Sequence, residues 1–574
     1  GALRAASQLV QLQDSAPTSA IGIVARARGD IERLGRALQA AGYWAGSVTI
    51  TLAGLPLDTP DLADRLDAAR PPIPVRIAVD RRDPFTIGQV SVQAGDPAQQ
   101  EAVAAATAEP FGLAPGDPAR IPPILDAERT LVDRLLRAGH PLATVVSRQA
   151  VVDYDRHALD VAWVLAPGPV ARFAPPEVVG ERQVDPNFLR RFTGQLAGQP
   201  YSPERLERMR NRLLGLGPFG SVSAQTADHL DSAGQLPVTF TVIERARHAV
   251  GVTAAYETNY GPSFRVFWEH RNLFGGAERL RLDAEIARLG STTNNTTGVT
   301  SRVFATLTVP GLFGQDLRLI GTVGALEERL LAWDRNAGVA SVLLEKPVTP
   351  RLTLRAGPTA DAGTVGPSGG PMRAYQVLGF ETGLRWDGTD NLLDPAHGAR
   401  VNTTLTPSYE LRQGQPFAPL VVTATTYFDV LGDRRSILAL RGRVGSLLGA
   451  NRLDVPNHLR FYAGGGGSVR GYDYQSIGPR NPATGRPVGG SSLVEASIEW
   501  RQRLWGNFGA VVFADAGSVG TGTAPGFNRL RIGVGGGLRY YTPIGPIRAD
   551  LAFPLEKQQG SSGYGIYVGI GQAF

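Results

Sequence analysis

The second half of the chain, residues 248–574, consists of short segments in which apolar residues recur at every second position. One segment alternates Val494, Ala496, Ile498 and Trp500 with Glu495, Ser497, Glu499 and Arg501. A period of two predicts β-strands with one apolar face and one polar face. No apolar run approaches the ~20 residues of a membrane-spanning helix. If this half crosses a bilayer, it therefore does so as strands.

Alternation alone does not separate a soluble β-sandwich from a membrane barrel with a wet lumen, because both have one polar and one apolar face. Length favours the barrel. Roughly 330 residues, at about 20 per strand and connection, give about 16 strands. That number exceeds what one compact sandwich usually holds. We expect residues 248–574 to form a transmembrane antiparallel β-barrel of about 16 strands.

The first half of the chain has a mixed helical and extended pattern that repeats three times. Each repeat pairs a helical apolar face with a glycine-led strand, as in Leu34 and Leu38 followed by Gly42, or Leu131 and Leu135 followed by Gly139. Repeats at intervals of about 80–100 residues suit small tandem domains. The predicted α+β domains span 1–82, 83–169 and 170–247, and we expect the first to lack its opening strand.

Composition excludes several classes of function. The chain has no cysteine, so disulfides and thiol nucleophiles are absent. Its formal net charge of +6 comes from 58 basic and 52 acidic residues spread along the chain, with no block typical of nucleic-acid binding. The seven histidines lack metal-ligand spacing. We expect no cofactor, no metal, no nucleic-acid partner and no enzymatic activity.

A run of four glycines, Gly464–Gly467, precedes Val469, Arg470, Gly471 and Tyr472. Glycine frees the backbone to fold back and removes side chains that block close approach. The segment predicts a long loop that carries the Arg470 guanidinium to an acceptor. Phe513, Asp515 and Gly517 share one face of a later strand, and a charged Asp515 facing lipid would cost a few kcal/mol. We therefore expect Asp515 to face the lumen and pair with Arg470.

Further charges occupy the same predicted lumenal faces. Arg548 and Asp550 alternate with apolar neighbours on one strand, and Glu495 and Glu499 do so on another. We expect these four side chains to extend the network around Arg470. The alternative is a set of separate lumenal charges, each solvated by channel water.

The last strand closes the predicted barrel. One face carries Tyr564, Ile566, Val568, Ile570 and Phe574, and the other carries Gly565, Gly569 and Gly571. A terminal aromatic residue suits the membrane–water interface. We expect this strand, 563–574, to meet the first strand, 248–257, at a seam weakened by its glycines.

Together these segments resemble the signatures of the bacterial outer-membrane assembly superfamily. The resemblance covers the Arg470 loop, the Asp515 strand, the 543–550 hairpin, the early 271–278 hairpin and the mid-barrel turn 387–398. The three repeats resemble POTRA (polypeptide-transport-associated) domains, and the terminus resembles a barrel recognition signal. Three such domains most resemble the TamA family, since BamA typically carries five and two-partner secretion transporters carry two.

The resemblance implies a location and a function. The barrel would lie in the outer membrane with its POTRA domains in the periplasm, inserting or exporting autotransporter-type barrel clients through a lateral opening at the seam. Its partners would be outer-membrane lipid, unfolded clients and a TamB-like protein anchored in the inner membrane. The alternatives are a two-partner-secretion transporter and a passive pore.

Overall fold

The computed structural model describes residues 2–15, 19–69, 72–257, 260–288, 298–314, 316–543, 545–558 and 563–574. The chain divides into two compact units. The first comprises Gly1–Val179, Leu196–Arg212 and Ser223–Thr241, and the second comprises Gly180–Gln195, Leu213–Val222 and Val242–Phe574.

Helices are confined to the first 214 positions among the described residues, apart from single 3-10 turns. The α-helices are α1 (Ala2–Ala6), α2 (Gln8–Gln11), α3 (Ala20–Ala40), α4 (Leu62–Asp67), α5 (Gln100–Thr107), α6 (Ile121–Arg137), α7 (Pro186–Thr193) and α8 (Pro203–Leu214). The 3-10 turns are Gln13–Ser15, Pro97–Gln99, Gly194–Leu196, Leu312–Gly314, Arg452–Asp454 and Asn457–Leu459. No helix in the described ranges is long and apolar enough to span a membrane.

The strands before the barrel form small separate sheets. They are β1 (Ser47–Leu52), β2 (Leu55–Pro56), β3 (Val75–Asp80), β4 (Thr86–Ala94), β5 (Thr144–Asp153), β6 (Ala158–Ala166), β7 (Arg172–Phe173), β8 (Glu177–Val179), β9 (Phe219–Thr226), β10 (Gln235–Leu236) and β11 (Val238–Glu244). Their sheets have the orders β2-β1-β3, β4-β6-β5 and β8-β11-β9, with β10 beside β7. The predicted helical faces are buried, for example Leu34 and Leu38 on α3 and Leu131 and Leu135 on α6.

One buried carboxylate organises the start of the chain. Asp30 on α3 is fully buried and accepts hydrogen bonds from the Ser7 hydroxyl at 2.7 Å and from the backbone N–H groups of Gln8 and Leu9, both at 2.9 Å. Arg33 forms a salt bridge to it. Burial raises the pKa of Asp30, but these hydrogen bonds outweigh it and hold the pKa below its usual value. The ionised carboxylate therefore fastens α1 and α2 to α3.

Removing this charge loosens the first helices. We expect Asp30→Asn to lower the hydrogen-exchange protection of the Gln8 and Leu9 amides by an amount corresponding to about 1–3 kcal/mol. Because the folded pKa is depressed, the stabilisation is present above the unfolded carboxyl pKa of about 3.9 and is lost as the pH falls through the folded pKa. The control is Glu32→Gln at an exposed position on the same helix. Equal protection in both variants would contradict this role.

The second unit is dominated by a closed antiparallel barrel. Its segments are β12 (His248–Glu257), β13 (Gly261–His270), β14 (Arg279–Ala287), β15 (Thr300–Val309), β16 (Arg318–Arg329), β17 (Trp333–Pro347), β18 (Leu352–Pro367), β19 (Arg373–Asp387), β20 (Gly398–Leu405), β21 (Ser408–Glu410), β22 (Gln415–Asp429), β23 (Ser436–Leu448), β24 (Ser492–Arg503), β25 (Phe508–Gly520), β26 (Arg531–Thr542), β27 (Gly545–Pro554) and β28 (Gly565–Ile570). Since β20 and β21 both lie between β19 and β22, they form one interrupted strand, and the described barrel has 16 strands. The predicted closed barrel is confirmed.

Neighbouring strands run in opposite directions, so the connections between them lie at two ends of the barrel. We call the end at which β12 begins the near end, and the opposite end the far end. The connection 449–491, between β23 and β24, belongs to the far end because β23 runs in the same direction as β12. Outward positions such as Val252, Val323 and Ile498 are exposed, whereas Glu495 and Glu499 on the lumenal face of β24 are buried. This division matches an apolar exterior around a polar interior.

The early hairpin 271–278 at the near end is held by its own polar side chains. The Asn272 amide donates to the Gln183 carbonyl at 2.8 Å, and its oxygen accepts from the Ala277 N–H at 2.9 Å. Glu278 accepts from the backbone N–H groups of Phe274 and Gly276. The early hairpin, one of the segments that carry the family resemblance, therefore has a structural role, because its polar side chains fix its backbone. In the predicted 543–550 hairpin, residue 544 lies outside the described residues.

Candidate functional site

The far-end connection 449–491 enters the lumen and follows the inner wall. Gly464, Gly465 and Gly471 have φ values of 107°, 99° and 93°, a region that favours glycine. Gly471 also lies so close to the wall that a Cβ there would be 2.7 Å from the Phe553 carbonyl carbon. The glycines of this segment thus permit both the reversal of the chain and its close approach to the barrel. We call residues 449–491 the lumenal loop.

Arg470 of the lumenal loop meets the wall at the predicted acceptor. Its Nε and Nη2 donate to the two oxygens of Asp515 at 2.7 and 3.0 Å, and its backbone N–H donates to Asp515 at 3.1 Å. Its Nη1 lies 3.0 Å from Glu499 and 3.4 Å from Asp550. The guanidinium carbon stacks 3.3 Å from the Phe513 ring centroid. A planar fork with this many fixed partners explains why arginine occupies the position.

Two further arginines complete the charge balance around Arg470. Arg501 Nε lies 2.7 Å from Glu499, and Arg539 forms an ion pair with Asp550. Three buried arginines therefore face three buried carboxylates, Asp515, Glu499 and Asp550. Arg548 is more peripheral, with Nη1 3.8 Å from Asp550. We call the six buried residues the anchor cluster. Burying so many charges is tolerable only when each has a partner.

The neighbours of Arg470 in the loop make their own wall contacts. Ser468 donates to Glu495, whose carboxylate also pairs with Arg441 at 3.3 Å. The Gly471 N–H donates to the Tyr567 hydroxyl at 2.9 Å. Residue 469 packs against the wall at position 517, and Tyr472 is buried within the apolar core of the lumen. All the predicted loop and acceptor residues therefore lie at one interface.

The wall opposite Arg470 requires a residue without a side chain. A Cβ at Gly533 would lie 1.9 Å from the Arg470 carbonyl oxygen. We expect Gly533→Ala to displace the loop and destabilise the barrel by about 1–3 kcal/mol, measured as a lower temperature of heat-induced unfolding in detergent. Gly442→Ala is the matched control, because a Cβ there meets no atom within 4 Å. Equal unfolding temperatures for the two variants would show that the loop is not held against this wall.

A second cluster fastens the beginning of the lumenal loop to another part of the wall. His458 Nε2 lies 3.0 Å from Asp361, which also accepts from Arg335 at 2.7 Å and from the Tyr375 hydroxyl at 2.7 Å. Arg335 continues to Glu328 at 3.4 Å. The lumenal loop is thus attached to β18 as well as to β24, β25, β27 and β28.

The seam between the first and last strands is short. All ten residues of β12 pair with β13, whereas β12 meets β28 in two pairs, Tyr256 opposite Val568 and Glu257 opposite Tyr567. Both pairs lie towards the far end. Within the described residues, positions 248–255 have no opposite residue on β28. Most of the first strand, from its near end to residue 255, therefore presents an open edge.

The prediction for the chain terminus is wrong in one respect. Gly565 and Gly569 belong to β28, but Gly571 has φ 97° and turns the chain out of the strand. Phe574 consequently does not face outwards with Ile570. Its ring lies 5.3 Å from the Arg501 guanidinium and its carbonyl accepts from Arg501 at 2.9 Å. The attraction between the Arg501 cation and the Phe574 ring holds the ring towards the lumen, away from the expected position at the membrane–water interface.

Sequence reasoning omitted several members of these clusters. Arg501 and Arg539 occupy lumenal positions on their strands. The alternation of apolar and polar residues along those strands was the signal that could have predicted this. Gln572 reaches both Arg539 at 3.1 Å and Asp394 at 3.0 Å, which links the terminus to the 387–398 turn. His458 lies in an irregular segment where no periodicity indicates its direction.

The repeat and the barrel match known families. Residues 171–245 match the POTRA family, described as a surface antigen variable number repeat, and residues 272–574 match the Omp85 superfamily domain. A POTRA domain followed by this closed barrel defines a β-barrel protein of the outer membrane, with the POTRA domain in the periplasm. The chain belongs to the Omp85 superfamily. Its near end is therefore periplasmic and its far end extracellular.

Individual relatives include outer membrane protein assembly factors. BamA of Neisseria meningitidis serogroup B is 23% identical over 487 residues, covering 74% of this chain and 59% of that protein. BamA of Nitratidesulfovibrio vulgaris is 33% identical over 126 residues, covering 21% of this chain and 16% of that protein. The chain thus spans less than two thirds of the length of these relatives.

Solved structures share the fold. BamA from Haemophilus ducreyi lacking POTRA domains 1–3 has a TM-score of 0.66 at 17% identity, covering 85% of this chain and all of that one. CdiB from Acinetobacter baumannii has a TM-score of 0.53 at 15% identity, covering 85% of this chain and 90% of that one.

Proposed function

We propose that the protein inserts or exports β-barrel clients at the outer membrane and opens laterally at its seam. The observation that carries the proposal is that, within the described residues, β12 pairs with β28 at two positions and with β13 at ten. Separating the first and last strands therefore breaks few hydrogen bonds. The remaining edge of β12 has unpaired backbone groups, which are costly in lipid and which a client strand can satisfy.

The open part of the seam lies towards the periplasmic end, where unfolded clients would arrive. A client strand would pair with residues 248–255 by β-augmentation, and folding of the client would supply the free energy. The anchor cluster holds the lumenal loop against β24 to β27, next to the closing strand. It would keep that side of the seam rigid while the first strand moves.

The finer assignment rests on the three α+β repeats in 1–82, 83–169 and 170–247. Three such domains favour the TamA family, with autotransporter-type clients and a TamB-like periplasmic partner that binds the POTRA sheet edges. The function requires no catalytic residue and no cofactor, so we propose that the protein is not an enzyme. Transport of one exoprotein, as in two-partner secretion, is the competing role.

Depletion of the protein followed by a quantitative inventory of outer-membrane proteins tests this function. We expect several β-barrel proteins to fall together and to recover when the full chain is supplied again. Loss of one secreted protein alone would indicate a two-partner transporter, and loss of a solute flux alone would indicate a pore. Either result would overturn the proposal.

A further inference from the structure

A cavity of about 1220 Å³ opens at the extracellular end of the barrel. One wall is the outer limb of the lumenal loop, residues 473–486. The other walls are the end of β25 with the connection that follows it, residues 518–531, and residues 557–558 after β27. None of these residues belongs to the anchor cluster or to the seam. The cavity is thus a separate feature of the extracellular surface.

The charges around this cavity are strongly unbalanced. Five cationic side chains line it, namely Arg480, Arg486, Arg529, Arg531 and Lys557, and the acidic lining residue is Asp473. The anchor cluster below pairs three arginines with three carboxylates. Like charges around one cavity repel each other, and an anion bound among them would relieve that repulsion.

Two of the five cations have structural partners. Arg480 donates to the carbonyls of Ser476 and Gly485 at 2.9 and 2.7 Å, which shapes the loop, and Arg531 forms an ion pair with Glu556. The other three, Arg486, Arg529 and Lys557, have no carboxylate partner within the described part of the chain. Their charges are therefore available to a ligand.

We propose that this extracellular cavity binds a ligand with several phosphate groups on a hydroxyl-rich framework, as in a phosphorylated sugar. Guanidinium forks match phosphate oxygens in pairs, and the lysine adds a point charge. Thr521 and Asn528 supply polar groups to the same lining, suited to sugar hydroxyls. The volume exceeds the range typical of small-molecule sites. The chemistry is shared by a phosphorylated glycolipid headgroup and by a soluble phosphorylated sugar.

Titration calorimetry on the full chain in nonionic detergent tests this site. The soluble probe is inositol hexakisphosphate, and the lipid probes are mixed micelles of lipid A with and without its phosphates. The cavity variant combines Arg486→Gln, Arg529→Gln and Lys557→Gln, while Arg480 and Arg531 stay unchanged to preserve the loop. The control variant removes equal charge outside the cavity by Arg351→Gln, Arg373→Gln and Arg412→Gln, all at exposed positions.

We expect the cavity variant to lose at least tenfold in affinity and the control variant to stay within twofold of the wild type. Binding of phosphorylated lipid A but not of the dephosphorylated form identifies a headgroup ligand, and binding of the soluble probe alone identifies a free phosphorylated sugar. An equal loss in both variants, or no binding by the wild type, would overturn the proposal. Because both variants keep the seam and the anchor cluster, client insertion should be unchanged in them whatever the ligand result.

Discussion

We expect a disulfide across the seam to abolish the proposed client insertion and its reduction to restore it. The variant is Tyr256→Cys with Val568→Cys, at positions directly opposite each other on β12 and β28. Facing residues of an antiparallel pair have Cβ atoms ~5 Å apart, close to what a disulfide needs. The chain has no cysteine of its own, so the introduced pair forms without competition. The measurement is the yield of folded client barrel under oxidising and reducing conditions.

The matched control links two strands that the mechanism leaves together. Val252→Cys with Val266→Cys joins β12 to β13 at facing positions, and both wild-type side chains are exposed on the barrel exterior. We expect this disulfide to leave client insertion within twofold of the reduced protein. Full activity of the protein locked between β12 and β28 would exclude lateral opening at this seam.

We expect the replacement of Arg470 by alanine to destabilise the barrel and to release the lumenal loop. The substitution leaves Asp515, Glu499 and Asp550 buried with two arginines instead of three. Removing one partner from a buried ionic group costs about 3–5 kcal/mol. We expect a lower unfolding temperature in detergent, proteolytic cleavage within residues 449–491, and a client insertion rate reduced at least tenfold.

Two variants separate the possible reasons for such an effect. Arg470→Lys keeps the charge but loses the fork that bonds both oxygens of Asp515, so we expect an intermediate loss. Arg412→Ala, at an exposed hairpin position, should leave stability and loop protection unchanged. Wild-type stability of Arg470→Ala would show that the anchor cluster does not hold the loop.

Much of this arrangement follows from local sequence rules. The period of two predicts the strands, and the cost of a charge facing lipid directs Asp515 to the lumen. The glycines on both sides of Arg470 predict a loop that reverses and approaches the wall closely. Gly464 and Gly471 have positive φ, and a Cβ at Gly471 would lie 2.7 Å from the Phe553 carbonyl carbon. These inferences depend on neighbours within a few residues, so no tertiary information is needed.

Other features depend on contacts between distant strands. The inward turn of Phe574 depends on Arg501, which is 73 residues away in the chain. The length of the seam depends on how β12 and β28 are staggered. The alternation of apolar and polar residues does not predict the register between these two strands. The bond from His458 to Asp361 joins an irregular segment to a strand 97 residues away. The periodicity of the sequence carries no information about contacts between residues so far apart in the chain.

The folding rate of a small reporter barrel in lipid vesicles tests the central claim most directly. An unfolded outer-membrane barrel is added to vesicles that contain the full chain and to vesicles without protein, and folding is followed by its heat-resistant band on a gel. We predict a folding rate at least several-fold higher in the vesicles that contain the protein. Equal rates in the two preparations, together with a steady ion conductance through the protein, would contradict the account and indicate a passive pore.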